Sequence, residues 1–459
     1  MAEVESARPS RGGVGRLIVL SATALLLAAG MIYYYNGVLV PIRQRQAPLS
    51  NAPPGNWSDL YPRWLGAREL LWHHRNPYSP EMTRDIQRGF YGRPLDASNR
   101  FDPKDPEAFA YPVYVVFLLA PLLPFPFDAV RPVFYAGLVL LTLASVPLWM
   151  GALNVRLRPW ATVLASLATM SSFAVLDGLH LEQITLLVVF LLAASAAALA
   201  RGRLALAGVL MALATVKPQL ALLVVVFLGL WMLGDWRGRK GFALGFGGTM
   251  AALLLGSELV LPGWLQLWRQ AAREYVSFHR PSLLVNLLGE RITMVAAAVA
   301  IFLCLALFWN FRKEMPGSGR FNFALAAALT ATTLLLPNAG RSYYNQSLLI
   351  PACLWLFVSG WTLSERNGLT RLLWRIAFTL LVGQWILAFP LLLAGLAFGY
   401  APQRELMLVV IGPELFSYFF PCALALFVLS VWPQLRLHAK PAGSLASAEP
   451  EKNAFPTAH

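Results

Sequence analysis

The chain has 459 residues, 57% of them hydrophobic and only 13% charged, which excludes an ordinary soluble globular domain. Its 37 Lys and Arg against 23 Asp and Glu give a formal net charge of +14. The basic residues fall in short patches between apolar runs and form no stripe of the kind nucleic-acid recognition needs, so they read as signals that orient membrane spans.

Apolar runs recur from end to end and predict an all-α polytopic membrane protein. In chain order the candidate spans are 16–39, 110–124, 129–150, 159–176, 183–200, 204–216, 219–234, 241–261, 291–310, 321–336, 346–361, 372–393 and 406–432. The first run, Leu17 to Val40, is too long for a signal h-region and no small-residue cleavage site follows it, so we expect a retained span. Basic patches at Arg8, Arg11 and Arg16, at Arg156 and Arg158, at Arg201 and Arg203, at 235–240, at 312–320 and at 364–371 mark the cytoplasmic side. The segments 41–108, 177–182, 262–290, 337–345 and 399–405 would then face outward. Two patches on one side need an even number of crossings, and three candidates lie between Arg16 and Arg156. Either 110–124, with Pro112 and Pro121, is short or re-entrant, or the Arg156/Arg158 patch is misassigned. The expectation is about 12 spans (12–13) with both termini inside. They form one transmembrane domain over 1–436, followed by a disordered cytoplasmic tail, 437–459. Cys304, Cys353 and Cys422 sit inside apolar runs without metal-ligand spacing and read as small core residues. No internal repeat is visible, which weighs against an inverted-repeat transporter.

The first outward loop, 41–108, is the longest polar segment. Leu60, Trp64, Ala67, Leu70 and Leu71 recur at helical spacing within 59–75, and "NPYSP" at 76–80 stops that helix. Trp57, Tyr61, Trp64 and Trp72 are interfacial residue types, so the helix is expected to lie on the membrane surface. Ser58 and Asp59 stand where an N-cap belongs, and capping is the structural alternative for Asp59. His73 and His74 are adjacent and diverge on a helix, so no metal pair is expected; nearby acids leave a divalent ion open as an alternative. The loop 262–290 places Trp264, Leu267, Trp268, Ala271 and Tyr275 on one face and predicts a second interfacial helix, a wall of the site or a plain connector. No nucleotide-sugar signature and no Gly-rich phosphate loop is present.

The stretch "SDLYPRWLGARELLWHHRNPY", with "FAYPVYVVFLLAPLLPF" at 109–125 and "KPQLALLVV" at 217–225, resembles glycosyltransferase family 87. That family includes mycobacterial polyprenol-phosphate-mannose-dependent mannosyltransferases. The likeness runs in order over roughly residues 15–432. It implies the GT-C fold, a polyprenyl-phosphate sugar donor, a lipid or glycan acceptor, and transfer of a hexose, mannose by resemblance. It also implies a site on the outward side of a bacterial inner membrane. Asp59 matches the family's proposed catalytic base, which would take a proton from the acceptor hydroxyl in an inverting transfer. No cofactor is implied.

A leaving phosphate needs cationic donors. Outward candidates are Arg63, Arg68, Arg280 and Arg341, with Lys217 if the 204–216 segment ends on that side; solvation, headgroup contact or a snorkelling lysine is the alternative for each. Tyr344 and Asn345 lie beside Arg341 in "PNAGRSYYNQ" and join this set. The turn "DGLHLEQ" at 177–183 offers His180, Glu182 and Gln183, with Tyr111, as a secondary polar site. The family segment there usually reads more like Gly-Gln-x-Asn, so His180 departs from it. Two rival functions are a lipid-linked-sugar flippase, which should carry ionisable residues near mid-bilayer, and a non-catalytic component of an envelope-polysaccharide complex.

Overall fold

The computed structural model describes residues 11–42, 55–96, 98, 99, 102, 103, 105–278, 285, 288–335, 342–365, 367–397 and 405–437. Among these residues every regular element is helical. The chain opens with α1 (Arg11–Tyr33), which runs on through a π-helical turn, Tyr34–Leu39. The polar loop carries α2 (Tyr61–His73) and α3 (Pro80–Tyr91), and a short α4 (Val115–Leu119) follows. Then come α5 (Phe127–Ala152), α6 (Pro159–Met170), α7 (Phe173–His180), α8 (Ile184–Ala200), α9 (Leu204–Ala214), α10 (Pro218–Leu233) and α11 (Trp236–Val260). After α12 (Trp264–Phe278) the chain continues through α13 (Glu290–Phe311), α14 (Gly319–Leu335), a 3₁₀ turn (Tyr343–Leu349), α15 (Ile350–Val358), α16 (Gly360–Ser364), α17 (Gly368–Ala397) and α18 (Glu405–Leu437).

Among the described residues five helices are long and apolar enough to cross a membrane: Ile18–Ile42, α5, α11, α13 and Gly368–Leu393. The bent pair α6–α7 makes a sixth if it is one span. The chain is a multi-pass membrane protein, but the structure does not establish about 12 crossings. The reason is length: α9 has 11 residues, about 16 Å of helix, where the hydrocarbon core is about 30 Å thick. The 110–124 segment holds only the five-residue α4 and a 3₁₀ turn, too short to cross. The predicted tail lies outside the described residues beyond Leu437.

Three features position the site. First, α8 and α9 form a helical hairpin. The start of α8 and the end of α9 therefore meet at one end of the bundle, bringing Gln183 and Thr185 to Lys217, 34 and 32 residues away in the chain. The hairpin is locked from behind by α11, where a Cβ on Gly245 would meet the Ala205 carbonyl oxygen at 2.1 Å, so only glycine allows this backbone approach. Second, α6 and α7 meet at 56°. Gln384 Oε1 accepts the Phe173 N–H (3.0 Å) freed by the break, and Trp385 Nε1 donates to Ser171 Oγ (3.0 Å). The bend aims the 181–183 turn at the polar loop.

Third, the stripe of α2 is buried, but against protein. Leu60, Trp64, Ala67 and Leu70 pack in one core with Phe109, Tyr111 and Phe127. This differs from a helix lying on the membrane surface, because the 105–127 segment folds back and covers the apolar face. Gly66 allows the contact, since a Cβ there would stand 2.4 Å from the Phe109 ring. The helix ends as expected, at His74 in left-handed conformation (φ 54°), whose N–H reaches the Glu69 and Leu70 carbonyls.

Candidate active site

Asp59 precedes α2, yet its side chain does not cap it. The N-cap is Leu60, with no side-chain cap bond, and Ser58 Oγ takes the Leu60 N–H (3.2 Å). The turn after α7 holds the acid instead. The Asp59 N–H donates to the Leu181 carbonyl (3.0 Å), Gln183 Nε2 donates to Asp59 Oδ2, and Ser58 Oγ donates to Glu182 Oε2. Glu182 is buried in left-handed backbone (φ 54°), and its other oxygen accepts Arg131 Nε from near the start of α5 (2.6 Å). Trp57 and Glu107, which flank the site, are also left-handed non-glycine residues. Such backbone persists only where the surroundings over-determine it.

Two cations border Asp59, and they differ in what they have left to give. Arg63, one turn on in α2, is 4% exposed. Its Nη1 donates to the Asp59 carbonyl (2.6 Å) and its guanidinium stacks on the Tyr111 ring (4.6 Å), while its buried Nε has no partner. A buried donor left unmade is costly, so Arg63 is built to receive an acceptor. Lys217 is spent. Its ammonium donates to Thr185 Oγ1 (2.7 Å) and Gln183 Oε1 (3.2 Å), bonds toward Tyr111, and lies over the Tyr344 ring (4.8 Å). Thr185 Oγ1 in turn donates to Asn345 Oδ1 (3.2 Å).

The far wall is the segment 105–111, pinned by its carbonyls. Tyr91 Oη donates to Asp105 O (2.9 Å), Gln87 Nε2 to Pro106 O (3.0 Å), Trp268 Nε1 to Ala110 O (3.2 Å) and Tyr78 Oη to Tyr111 O (2.6 Å). Trp268 belongs to α12, so this helix of the 262–290 segment touches the 105–111 segment. Burial pushes the Asp59 carboxyl up to about 6; Arg63 and Lys217 pull it down, Asp105 pushes it up, and the Gln183 N–H lowers it. Burial, then Asp105 and Asp59, hold Glu107 well above the carboxylate range. Burial alone would lower Arg63, but Tyr111, Asp59, Tyr275 and Glu107 together raise it above its ordinary value, and it stays a cation.

The predicted residues Asp59, Arg63, Tyr111, Gln183, Lys217, Tyr344 and Asn345 therefore converge. Arg68 does not join them. It stands about 140° around α2 from Arg63 and stacks on Trp64 (5.2 Å) and Trp72 (4.7 Å). His180 lies edge-on to the Tyr35 ring (6.0 Å), whose hydroxyl donates to Asp177 (2.8 Å). Glu182 is engaged by Ser58 and Arg131. His73 and His74 are exposed on the surface. Arg280 and Arg341 lie outside the described residues. Sequence reasoning missed Asp105, Glu107, Thr185 and Arg131. Arg131 was hidden inside a predicted span, and nothing local ties "DPEAF" at 105–109 to an acid 46 residues earlier; only the fold-back does.

Residues 109–337 match the family profile of glycosyltransferase family 87. No curated protein and no solved structure matches the chain.

Proposed function

Because this chain belongs to glycosyltransferase family 87, we propose that it moves a hexose, mannose by family resemblance, from a polyprenyl-phosphate donor to an outward-facing lipid or glycan acceptor, with Asp59 as the base. The family supports a membrane glycosyltransferase in general; donor, sugar and base are our reading. We read the fold as GT-C, in a bacterial inner membrane with both termini cytoplasmic and the Asp59 end outward.

The observation that carries the reading is the pair formed by Asp59 and Arg63. A base works best with a pKa near the operating pH, and a carboxyl at about 6 is mostly ionised at neutral pH while still able to take a proton. In the transfer, Asp59 accepts the acceptor hydroxyl's proton as that oxygen attacks the anomeric carbon. The bond from that carbon to the phosphate oxygen breaks, and the leaving phosphate carries off the bonding pair. Attack opposite the leaving group inverts the centre, and one base suffices. Arg63, with its unpartnered buried Nε and backing Tyr111 ring, is suited to the phosphate. Tyr344 and Asn345 stand beside this pair through Lys217 and Thr185. Ionisable residues gathered near mid-bilayer would have favoured a flippase; a base beside an under-satisfied arginine, in the polar loop, favours transfer.

The test is sugar transfer by purified protein in nanodiscs, offered a panel of radiolabelled polyprenyl-phosphate hexoses with membrane lipid extract. One donor should yield a lipid- or glycan-bound product of inverted anomeric configuration. Label that crosses the bilayer without a product would instead identify a transporter.

A further inference from the structure

Between Lys217 and Asp59 lies a side chain whose orientation is dictated at both ends. The Lys217 ammonium has donors only, so Gln183 must turn its carbonyl Oε1 to it (3.2 Å) and its amide Nε2 to Asp59 Oδ2. The same logic directs the other branch. Thr185 Oγ1 accepts from Lys217 (2.7 Å), which sends its own hydrogen to Asn345 Oδ1 (3.2 Å). The chain Lys217, Gln183, Asp59 is thus polarised in one direction, from buried Lys217 (6% exposed) and Gln183 (2%) to half-buried Asp59. Its members come from three separate segments that meet only because the α8–α9 hairpin closes at this end.

We propose that Lys217 is a positioning residue that acts on Asp59 through Gln183, fixing the carboxylate in one rotamer with Oδ2 occupied, leaving Oδ1 for the acceptor hydroxyl, and holding the acid ionised. This rests on Asp59 as the base. It assigns Lys217 a part different from a phosphate ligand, since its ammonium is already engaged by Gln183, Thr185 and the Tyr111 side. The groups that face Asp59 are Arg63 from the α2 that follows it, Lys217 and Gln183 across the hairpin, Asp105, Glu107 and Tyr91 from the polar loop, and Tyr344 from the 3₁₀ turn. Lys217 and Arg63 are the cations of this set. Loss of Lys217 therefore leaves Asp59 among acids and tyrosines with one cation to balance them.

The charge state can be read without catalysis. A water-soluble carbodiimide with glycinamide amidates carboxyls that carry a proton, and tandem mass spectrometry of the peptide reports Asp59 separately from Asp105 and Glu107. In wild type the labelling should fall with a midpoint near the acid's own titration. Lys217→Met and Gln183→Leu should move that midpoint to higher pH by about one unit or more, and Lys217→Arg should bring it back toward wild type. In transfer assays the same two variants should regain part of their lost rate as pH is raised, with KM for the donor little changed. Identical midpoints in all variants that keep the wild-type gel-filtration profile would overturn the proposal and reduce Lys217 to packing. If Lys217→Met does not fold, Gln183→Leu decides alone, because it leaves the lysine in place. The base reading fails separately: Asp59→Asn would then transfer sugar at the wild-type rate whatever the labelling shows.

Discussion

At the level of single residues, Arg63 and Arg68 show how little a helical repeat says about chemistry until the other wall is known. Both sit on α2, both were equal candidates for a phosphate, and a difference of five positions sends one into the site and the other onto Trp64 and Trp72. Arg63→Lys keeps the charge but loses the planar fork and the Tyr111 stack. It should lower kcat/KM for the lipid donor by about 1.5–3 kcal/mol, roughly tenfold to a hundredfold, while Arg68→Lys leaves it near wild type; donor-saturation curves of the two variants side by side give the answer. Asp59 makes a second claim, on stability. Its folded pKa of about 6 lies above the ordinary 3.8, so its contribution is fully present below the unfolded value and is lost as pH rises through the folded one. Wild type should therefore melt progressively lower relative to Asp59→Asn as pH climbs from about 4 to about 6, by at most on the order of 3 kcal/mol. Detergent melting curves of both proteins across that window test it, and a gap independent of pH would contradict it.

At the level of elements, the helix over 61–73 and its stop at "NPYSP" were legible because apolar spacing and a proline-bounded turn are local signals. What covers the helix was not. The interfacial tryptophans and tyrosines pointed to lipid, whereas Phe109 and Phe127 from the returning segment take that place. Gly66 is the hinge of this outcome: Gly66→Val would drive a branched side chain into the fully buried Phe109 ring. It should cost about 1–3 kcal/mol of stability and undock α2, so that transfer falls together with melting temperature; unchanged melting would contradict a close α2 contact with Phe109. The turn 181–183 was also half legible. Its polar residues stood out between two spans, but the 56° break that aims it at Asp59 depends on Gln384 and Trp385, more than 200 positions along the chain.

At the level of the whole molecule, composition and charge patches identified a polytopic membrane protein, and hydropathy placed the apolar runs. Counting runs does not by itself establish crossings, because a run of 11 to 17 residues scores as a span without the length of one: among the described residues five helices, or six with the bent pair, have that length. The catalytic reading requires the α2 end to face outward. A cysteine at the exposed His73 should react with a membrane-impermeant maleimide in intact cells, and a cysteine at the exposed Trp236 at the start of α11 should react only after permeabilisation; the reverse pattern would place the site in the cytoplasm. The central claim, that Asp59 is the base of a sugar transfer, is met most directly by comparing wild type with Asp59→Asn in nanodiscs with the active polyprenyl-phosphate donor and acceptor extract, at equal fold quality and across pH. The account predicts a wild-type rate that rises through about pH 6 and a loss of about 10²–10⁴-fold in the variant at every pH. An Asp59→Asn protein that forms product at the wild-type rate would contradict it.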